Sequence, residues 1–311
     1  MEGLVIKNTG SAYEVRLDES GEKVICRLKG NFRIKGIRTT NPVAVGDRVS
    51  VSIAADGGHY ITAIMPRHNY IIRRASNLSK ESHILAANID AAALVATLKN
   101  PTTSTTFIDR FLATAEAYSV KAILVLNKMD SWDAEERELA EAIRYLYEDI
   151  GYEVVFTSAL NGEGVERLEN LCAGKTVLLA GNSGVGKSSL INALVPDAEL
   201  RTGAISDTHH TGMHTTTFSE MIDLPGGGHL IDVPGVKGFG TIDFEKSEAS
   251  HFFPEIFRIG RDCRYSDCTH IHEPGCAVRE ALEEQRIAQS RYASYLSILE
   301  DTTDDKYRKP Y

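Results

Sequence analysis

The hydrophobic and polar positions of this chain fall into three successive patterns. Residues 1–66 contain short apolar runs rich in β-branched residues, such as "KVICRLKG" and "DRVSVSIAA", separated by turn segments such as "DESGE" and "NPVAVGD". None of these runs has helical periodicity. Five short strands with glycine-bearing turns predict a small all-β barrel of the OB type.

Residues 67–240 alternate between strand and helix patterns. "IDAAALVATL", "KAILVLN" and "KTVLLAG" predict buried strands, while "STTFIDRFLATAEAYS" and "AEERELAEAIRYLYEDI" repeat apolar residues at helical spacing. In the second helix we expect Leu139, Ile143 and Leu146 to form the buried face. This alternation predicts an α/β domain with a mostly parallel, doubly wound sheet.

A phosphate-binding loop lies between one such strand and a helix pattern. "GNSGVGKS" fits G-x-x-x-x-G-K-[ST], in which glycines let backbone N–H groups surround a phosphate at a helix N-terminus. Lys187 would neutralise the β- and γ-phosphate oxygens, and the Ser188 hydroxyl would bind Mg²⁺. The predicted nucleotide-binding loop comprises Gly181, Asn182, Ser183, Gly184, Val185, Gly186, Lys187, Ser188 and Ser189.

Two weaker motifs follow the phosphate loop and gain meaning from it. "DVPG" comes after an apolar strand, so Asp232 can serve as the second Mg²⁺ carboxylate and the Gly235 N–H can meet the γ-phosphate. "TGMHTTTF" lies between the two and offers Thr215 or Thr216 as a further magnesium ligand. The sequence leaves open which threonine has this role, although Thr216 is included in the predicted magnesium set.

The tetrapeptide "NKMD" predicts recognition of guanine. Guanine presents two N–H donors that one carboxylate can accept as a pair, whereas adenine presents a lone pair to the same carboxylate. Asp130 fits this role, Asn127 can bind the other edge of the base, and the Lys128 stem can cover the ring. The segment "TSA" ends the next strand and can add backbone contacts from Ser158 and Ala159.

These motifs occur in a rotated order along the chain. Both base motifs precede the phosphate loop, which is followed by the threonine loop and the aspartate loop. A doubly wound domain tolerates such a rotation, because its binding loops need only converge at the carboxyl ends of the strands.

The third part of the chain, residues 241–311, predicts a small α-helical domain built around a metal. "CRYSDCTHIHEPGC" gives the pattern C-x₄-C-x-H-x₅-C, with Cys263, Cys268, His270 and Cys276 as ligands. Three thiolates and an imidazole form a closed tetrahedral site for one structural Zn²⁺. His272 is a rival for His270.

Taken together, these motifs resemble the circularly permuted GTPases of the small-ribosomal-subunit-dependent GTPase A (RsgA) family. The resemblance rests on "AANID", "FIDRFL", "NKMD", "TSA", "GNSGVGKSSLIN", "GMHTTT", "DVPG" and "CRYSDCTHIHEPGCAV", which extend over almost the whole chain. It implies GTP hydrolysis to GDP and phosphate stimulated by the 30S subunit, an OB-fold that contacts 16S rRNA, and a zinc-bearing helical domain.

The catalytic group that positions water is not evident from "DVPG", because no glutamine follows it in "DVPGVKGFG". Slow intrinsic hydrolysis is therefore expected. His214 is our candidate for positioning water, as the resemblance also implies, with His209 and His210 as weaker rivals. Lys187 and Gly235 complete the predicted catalytic set.

The charge distribution and the composition predict a binding partner and a cellular location. The net charge is −9, yet residues 1–80 contain 13 Lys/Arg against 7 Asp/Glu, a local charge of +6. The stretch from Arg27 to Arg38 is basic and includes Phe32, as expected for a nucleic-acid-binding face of an OB-type barrel. No leader pattern and no run of ~20 apolar residues is found, which predicts a cytoplasmic protein without a membrane partner. We also expect a monomer.

Two other functions fit parts of the sequence. The protein could be an RNA-binding assembly module in which the nucleotide is only a conformational ligand, or an ATPase in which "NKMD" is a coincidence. Stimulation of phosphate release by 30S subunits would argue against the first, and selective loss of GTP binding in Asp130→Asn would argue against the second.

Overall fold

A computed structural model describes residues 1–29, 42–74, 82–198, 219–233 and 247–304. Several predicted residues lie outside these ranges, namely Phe32 and most of the basic stretch around it, His209, His210, His214, Thr215, Thr216 and Gly235.

The N-terminal part is a closed five-stranded barrel, which confirms the predicted OB-type architecture. Its strands are β1 (Glu2–Asn8), β2 (Tyr13–Leu17), β3 (Lys23–Leu28), β4 (Arg48–Ile53) and β5 (His59–Ile64). The order is β1-β2-β3-β5-β4, with β4 pairing back onto β1 and with β3 parallel to β5. Alternate residues of the strands point inwards, and the core includes Val5, Tyr13, Val15, Val49 and Ile61.

The central part is built on a mostly parallel sheet. A hairpin of β6 (Tyr70–Arg74) and β7 (Ser82–Ala87) leads into β8 (Ala91–Ala96), β9 (Lys121–Leu126), β10 (Glu153–Phe156), β11 (Thr176–Ala180), β12 (Glu220–Asp223) and β13 (His229–Asp232). The order β10-β9-β8-β11-β13-β12 is parallel except for β12, which forms an antiparallel edge. The doubly wound prediction is confirmed.

Helices cover this sheet between the strands. They are α1 (Thr105–Ala117), α2 (Ala134–Ile150), α3 (Val165–Cys172) and α4 (Lys187–Leu194). The predicted face of α2 is partly wrong, because Leu139 is 50% exposed while Ala140 and Tyr147 are the buried residues. Asp133 is the N-cap residue of α2 and forms a reciprocal capping box with Glu136.

The C-terminal part is helical, as predicted, with α5 (Pro254–Gly260), α6 (Ala277–Glu283) and α7 (Gln289–Asp304). A buried ion network fastens it to the central domain. The Arg291 guanidinium donates to Glu255 Oε1 at 2.7 Å and to Asp109 Oδ1 at 2.8 Å, and the Tyr147 hydroxyl also donates to Asp109 Oδ1 at 2.7 Å. Since Asp109 belongs to α1 and Arg291 to α7, the network joins the two domains.

Within the described residues, the barrel is attached to the central domain at two places. Ala87 donates its N–H to the Val45 carbonyl at 3.0 Å, and a Cβ at Gly46 would lie 2.0 Å from the Ala87 oxygen. The second attachment is β12, which pairs with β1 through Lys7 and Glu220. In the ranges given above, no helix combines the length and the apolar character needed to cross a membrane.

Candidate nucleotide and metal sites

The phosphate loop connects β11 to α4 at the carboxyl edge of the sheet. Gly181, Gly184 and Gly186 have φ values of 150°, 83° and 91°, which other residues rarely adopt. Gly186 is also the N-cap residue of α4, so the loop ends at the N-terminus of a helix. Backbone N–H groups and the helix dipole there favour an anion such as a phosphate.

Lys187 and Asp232 form the charged centre of this site. The Lys187 Nζ donates to the carbonyls of Gly181 at 2.7 Å and Asn182 at 3.3 Å, which leaves one of its three N–H groups for a phosphate. Burial lowers the pKa of Lys187, and the charge of Asp232 opposes that shift. Burial raises the pKa of Asp232, and the charge of Lys187 opposes it. Each group therefore favours the charged form of the other.

The carboxylate of Asp232 fits the predicted magnesium role. Asp232 is the last residue of β13 and lies opposite Leu179 of β11. Leu179 is two residues before the phosphate loop. Its Oδ1 atom is buried and has no hydrogen-bond partner among the residues that the structure describes. A buried carboxylate oxygen without a partner is costly, and a magnesium-bound water would satisfy it.

Asn127 joins the base motif to the phosphate loop. It follows β9, and its Nδ2 donates to the Val185 carbonyl at 2.9 Å. Its Oδ1 accepts the Thr157 hydroxyl at 3.0 Å and the Ala159 N–H at 3.2 Å. A Cβ at Gly186 would lie 2.5 Å from the same Nδ2, so the close approach requires glycine there. The two base motifs and the phosphate loop thus form one hydrogen-bonded unit.

Asp130 lies in a short 3₁₀ turn, Met129–Ser131, directly after Asn127 and Lys128. The hydroxyl of Ser158, which is fully buried, donates to Asp130 Oδ1 at 2.5 Å. This contact fixes the carboxylate at the mouth of the site. Lys128 has φ 68°, its Nζ donates to the Asn100 carbonyl, and burial lowers its pKa.

The four predicted zinc ligands come together in the C-terminal domain. Their ligand atoms all lie within 4.8 Å of one another. His270 Nδ1 is 3.6 Å from Cys263 Sγ and 3.5 Å from Cys276 Sγ, and these two sulfurs are 3.9 Å apart. Tetrahedral zinc with ordinary bond lengths places sulfur and nitrogen about 3.6 Å apart and two sulfurs about 3.8 Å apart. The cluster is therefore compatible with one zinc ion.

The surroundings of the cluster hold His270 in the ligand position, whereas His272 is exposed and does not belong to the cluster. Tyr292 and Tyr295 donate their hydroxyls to the carbonyls of His270 and Thr269 at 2.7 and 2.8 Å. Burial raises the pKa of the Cys276 thiol, so a cation is needed to keep the thiolate form at neutral pH.

Two residues of the nucleotide site and its surroundings were not predicted. The sequence predicts only backbone contacts for the segment that contains Thr157, yet its side chain orients Asn127. The sequence predicts no role for Asn100, although its carbonyl accepts a hydrogen bond from Lys128. The threonine could have been found from its place at the end of a strand, whereas nothing in the sequence indicates the partner of Lys128.

Two family models match successive parts of the chain. The family described as RsgA GTPase matches residues 64–242, and the family described as RsgA N-terminal domain matches residues 2–61. A Porphyromonas gingivalis protein named small ribosomal subunit biogenesis GTPase RsgA is 60% identical over 316 residues, with both chains covered completely. A Bacteroides fragilis protein of the same name is 57% identical over 311 residues, again with complete coverage of both chains.

Two solved structures have the same architecture. The crystal structure of YjeQ from Thermotoga maritima is 34% identical with a TM-score of 0.76, and the match covers 99% of each chain. The structure of YloQ, described as a circularly permuted GTPase, is 31% identical with a TM-score of 0.72, and covers 100% of this chain and 96% of that chain.

Proposed function

This chain belongs to the RsgA GTPase family and is a GTP-hydrolysing enzyme, and on that premise we propose that it acts on the small ribosomal subunit late in maturation, in contact with 16S rRNA. The observation that supports guanine-nucleotide binding is the Asn127 bridge, which joins the guanine motif to the phosphate loop. Relatives that are 57–60% identical over the full length are named for biogenesis of this subunit.

In the proposed complex the guanine base lies between the two base motifs. Asp130 accepts the two N–H donors of guanine, Asn127 uses its remaining amide N–H on the other edge, and the Lys128 stem covers the ring. Ser158 holds the carboxylate in position. The Ala159 N–H, which donates to Asn127 at 3.2 Å in the structure, is close enough to contribute to the same edge.

The phosphates lie on the loop from Gly181 to Ser189. Lys187 turns its remaining N–H towards the β- and γ-phosphates, and the backbone N–H groups at the start of α4 face the same oxygens. Magnesium supplies neutralisation of the phosphate charge, and the Ser188 hydroxyl and Asp232 carboxylate are the described residues that would hold it. Thr215 or Thr216 would complete its ligands.

Hydrolysis requires a group that orients the attacking water. We propose His214 for this role, with the Gly235 N–H on the γ-phosphate. The glutamine used by Ras-like enzymes has no counterpart in "DVPGVKGFG", and slow turnover without the ribosomal subunit is the consequence.

The other two domains serve the ribosome in this proposal. The barrel would contact 16S rRNA with its basic stretch, of which Arg27 and Lys29 belong to the described residues. The C-terminal domain would hold one structural zinc on Cys263, Cys268, His270 and Cys276. The protein would act as a monomer in the cytoplasm.

Phosphate release in the presence of purified 30S subunits tests the proposal. We expect GTP turnover to rise at least about tenfold when subunits are added, and ATP turnover to stay at background. Lys187→Met should abolish this activity. Lys121→Met is a matched control, because Lys121 is exposed at the opposite, amino end of β9.

Unchanged turnover in the presence of subunits would refute the enzymatic role on the ribosome. Nucleotide-dependent binding to the subunit without stimulation would instead support an RNA-binding assembly module.

A further inference from the structure

The short edge strand β12 is held by the barrel at both ends. It has four residues and carries a carboxylate at each end. Lys7 of β1 pairs with Glu220 at 3.0 Å, and Arg16 of β2 pairs with Asp223 at 2.8 Å. The Asn8 N–H also donates to the Ser219 carbonyl at 3.2 Å. The barrel therefore fixes the strand that directly follows the threonine loop.

The pairing register places three charged residues in one row across the sheet. Lys7 lies opposite Glu220, and Glu220 lies opposite Asp232. Residues directly opposite on neighbouring strands share a face of the sheet, with Cβ atoms about 4.5–5.5 Å apart. The row runs from the barrel to the carboxylate beside the phosphate loop.

The charges in this row act on one another. Asp232 is almost fully buried, and within the described ranges its Oδ1 has no hydrogen-bond partner. Glu220, which lies opposite Asp232 in the register, adds a second negative charge beside it. Lys7 is half-buried next to Glu220 and offsets that charge. The net charge near Asp232 thus depends on a residue of another domain.

We propose that Glu220 is a positioning residue that adds negative charge to the magnesium site, and that Lys7 offsets this charge. Because Lys7 belongs to the barrel, the barrel controls how tightly the GTPase domain binds magnesium. This inference rests on the proposed role of Asp232 as the magnesium carboxylate. If the barrel moved away from β12, Lys7 would move with it, and the negative potential at the magnesium site would become stronger.

Single substitutions in the pair should move magnesium affinity in opposite directions. Lys7→Gln leaves Glu220 uncompensated, so the site becomes more negative and magnesium should bind roughly threefold to tenfold tighter. Glu220→Gln leaves Lys7 in place, so magnesium should bind weaker by a similar factor. The double variant restores the original net charge and should bind magnesium within about twofold of wild type.

The measurement is the magnesium concentration for half-saturation of the full-length protein with bound N-methylanthraniloyl-GDP, followed by fluorescence. Lys7→Arg should keep the wild-type value. Arg16→Gln is the matched control, because it breaks the other barrel contact of β12 about 10 Å further along the strand. It should leave magnesium affinity unchanged.

Opposite shifts with cancellation in the double variant support the inference. A purely structural role of the pair predicts shifts in the same direction for both single variants, and that result, or no shift in either, would overturn it. Asp232→Asn separates this from the proposed function. If Asp232→Asn leaves magnesium affinity unchanged, the assignment of Asp232 fails; if it weakens magnesium while the pair has no effect, only the present inference fails.

Discussion

Replacing Asp130 by asparagine should change the base that this enzyme prefers. In the structure the Ser158 hydroxyl donates to Asp130 Oδ1 at 2.5 Å. An asparagine side chain would place its oxygen at this position, because a hydroxyl that already donates there needs an acceptor. Its amide nitrogen would then take the place of Oδ2. The variant therefore presents one acceptor and one donor, where the wild type presents two acceptors.

The size of the effect follows from the hydrogen bonds involved. Guanine loses one charge-assisted hydrogen bond, worth about 1.5–3 kcal/mol, and has one N–H donor facing another donor, which costs about 1–3 kcal/mol. The sum of about 2.5–6 kcal/mol corresponds to roughly 10²–10⁴-fold weaker GTP binding. Xanthosine triphosphate carries a carbonyl in place of the guanine amino group, so it matches the variant and should gain affinity.

Equilibrium titration with fluorescent GTP, ATP and xanthosine triphosphate analogues measures these changes. ATP binding should not weaken, because the carboxylate that repels the adenine lone pair is gone. Asp149→Asn is a control on the exposed surface of α2 and should bind all three nucleotides as wild type does. Equal loss of GTP and ATP binding, or no gain for xanthosine triphosphate, would refute the assignment of Asp130 as the guanine reader.

Three further predictions concern the remaining sites. Arg291→Met should destabilise the protein by about 3–5 kcal/mol in denaturant melts, because the buried carboxylates of Asp109 and Glu255 lose their cation. Neutralising both carboxylates as well should recover most of that loss. A melt like wild type for the single variant would contradict the buried network. Cys276→Ser should reduce zinc from about one ion per chain to none in elemental analysis, and retained zinc would show that the cluster is not the site. Gly186→Ala should weaken GTP binding at least about tenfold in a titration, because an alanine at φ 91° is strained by about 1–3 kcal/mol and its Cβ would clash with the neighbouring amide; wild-type affinity would contradict that geometry.

Much of the fold could be predicted because its signals are local. Alternation in the barrel strands and the apolar runs before each binding loop depend on neighbouring residues only. The strand β12 and the hairpin of β6 and β7 were missed. β12 has only four residues and is stabilised by the barrel and by β13, so its partners are remote in sequence.

The buried face of α2 shows the same limit in a helix. Hydrophobicity favoured Leu139, but Tyr147 is buried because its hydroxyl has a partner on α1, Asp109. That aspartate belongs to "FIDRFL", and its cation, Arg291, is 182 residues further along the chain. A buried charge can be recognised only when its partner is known, so neither residue was predicted.

The binding loops were easier to predict than their supports. Glycines in the phosphate loop and the spacing of the cysteines reflect chemistry that a short segment performs by itself. The hydrogen bond from Asn127 to Val185 joins segments 58 residues apart, and the ion pair between Lys7 and Glu220 joins two domains. These contacts depend on how segments that are remote in sequence pack against one another, which no local pattern indicates.

The pairing of β1 with β12 also bears on how the protein avoids self-association. An uncovered strand at the end of a sheet offers free N–H and C=O groups that can recruit the same strand of another molecule. Here the barrel covers that end, and it places Lys7 and Arg16 along it. A chain without its first domain should therefore suffer from aggregation, in addition to any loss of RNA contact. We therefore expect the barrel to contribute to the solubility of the GTPase domain as well.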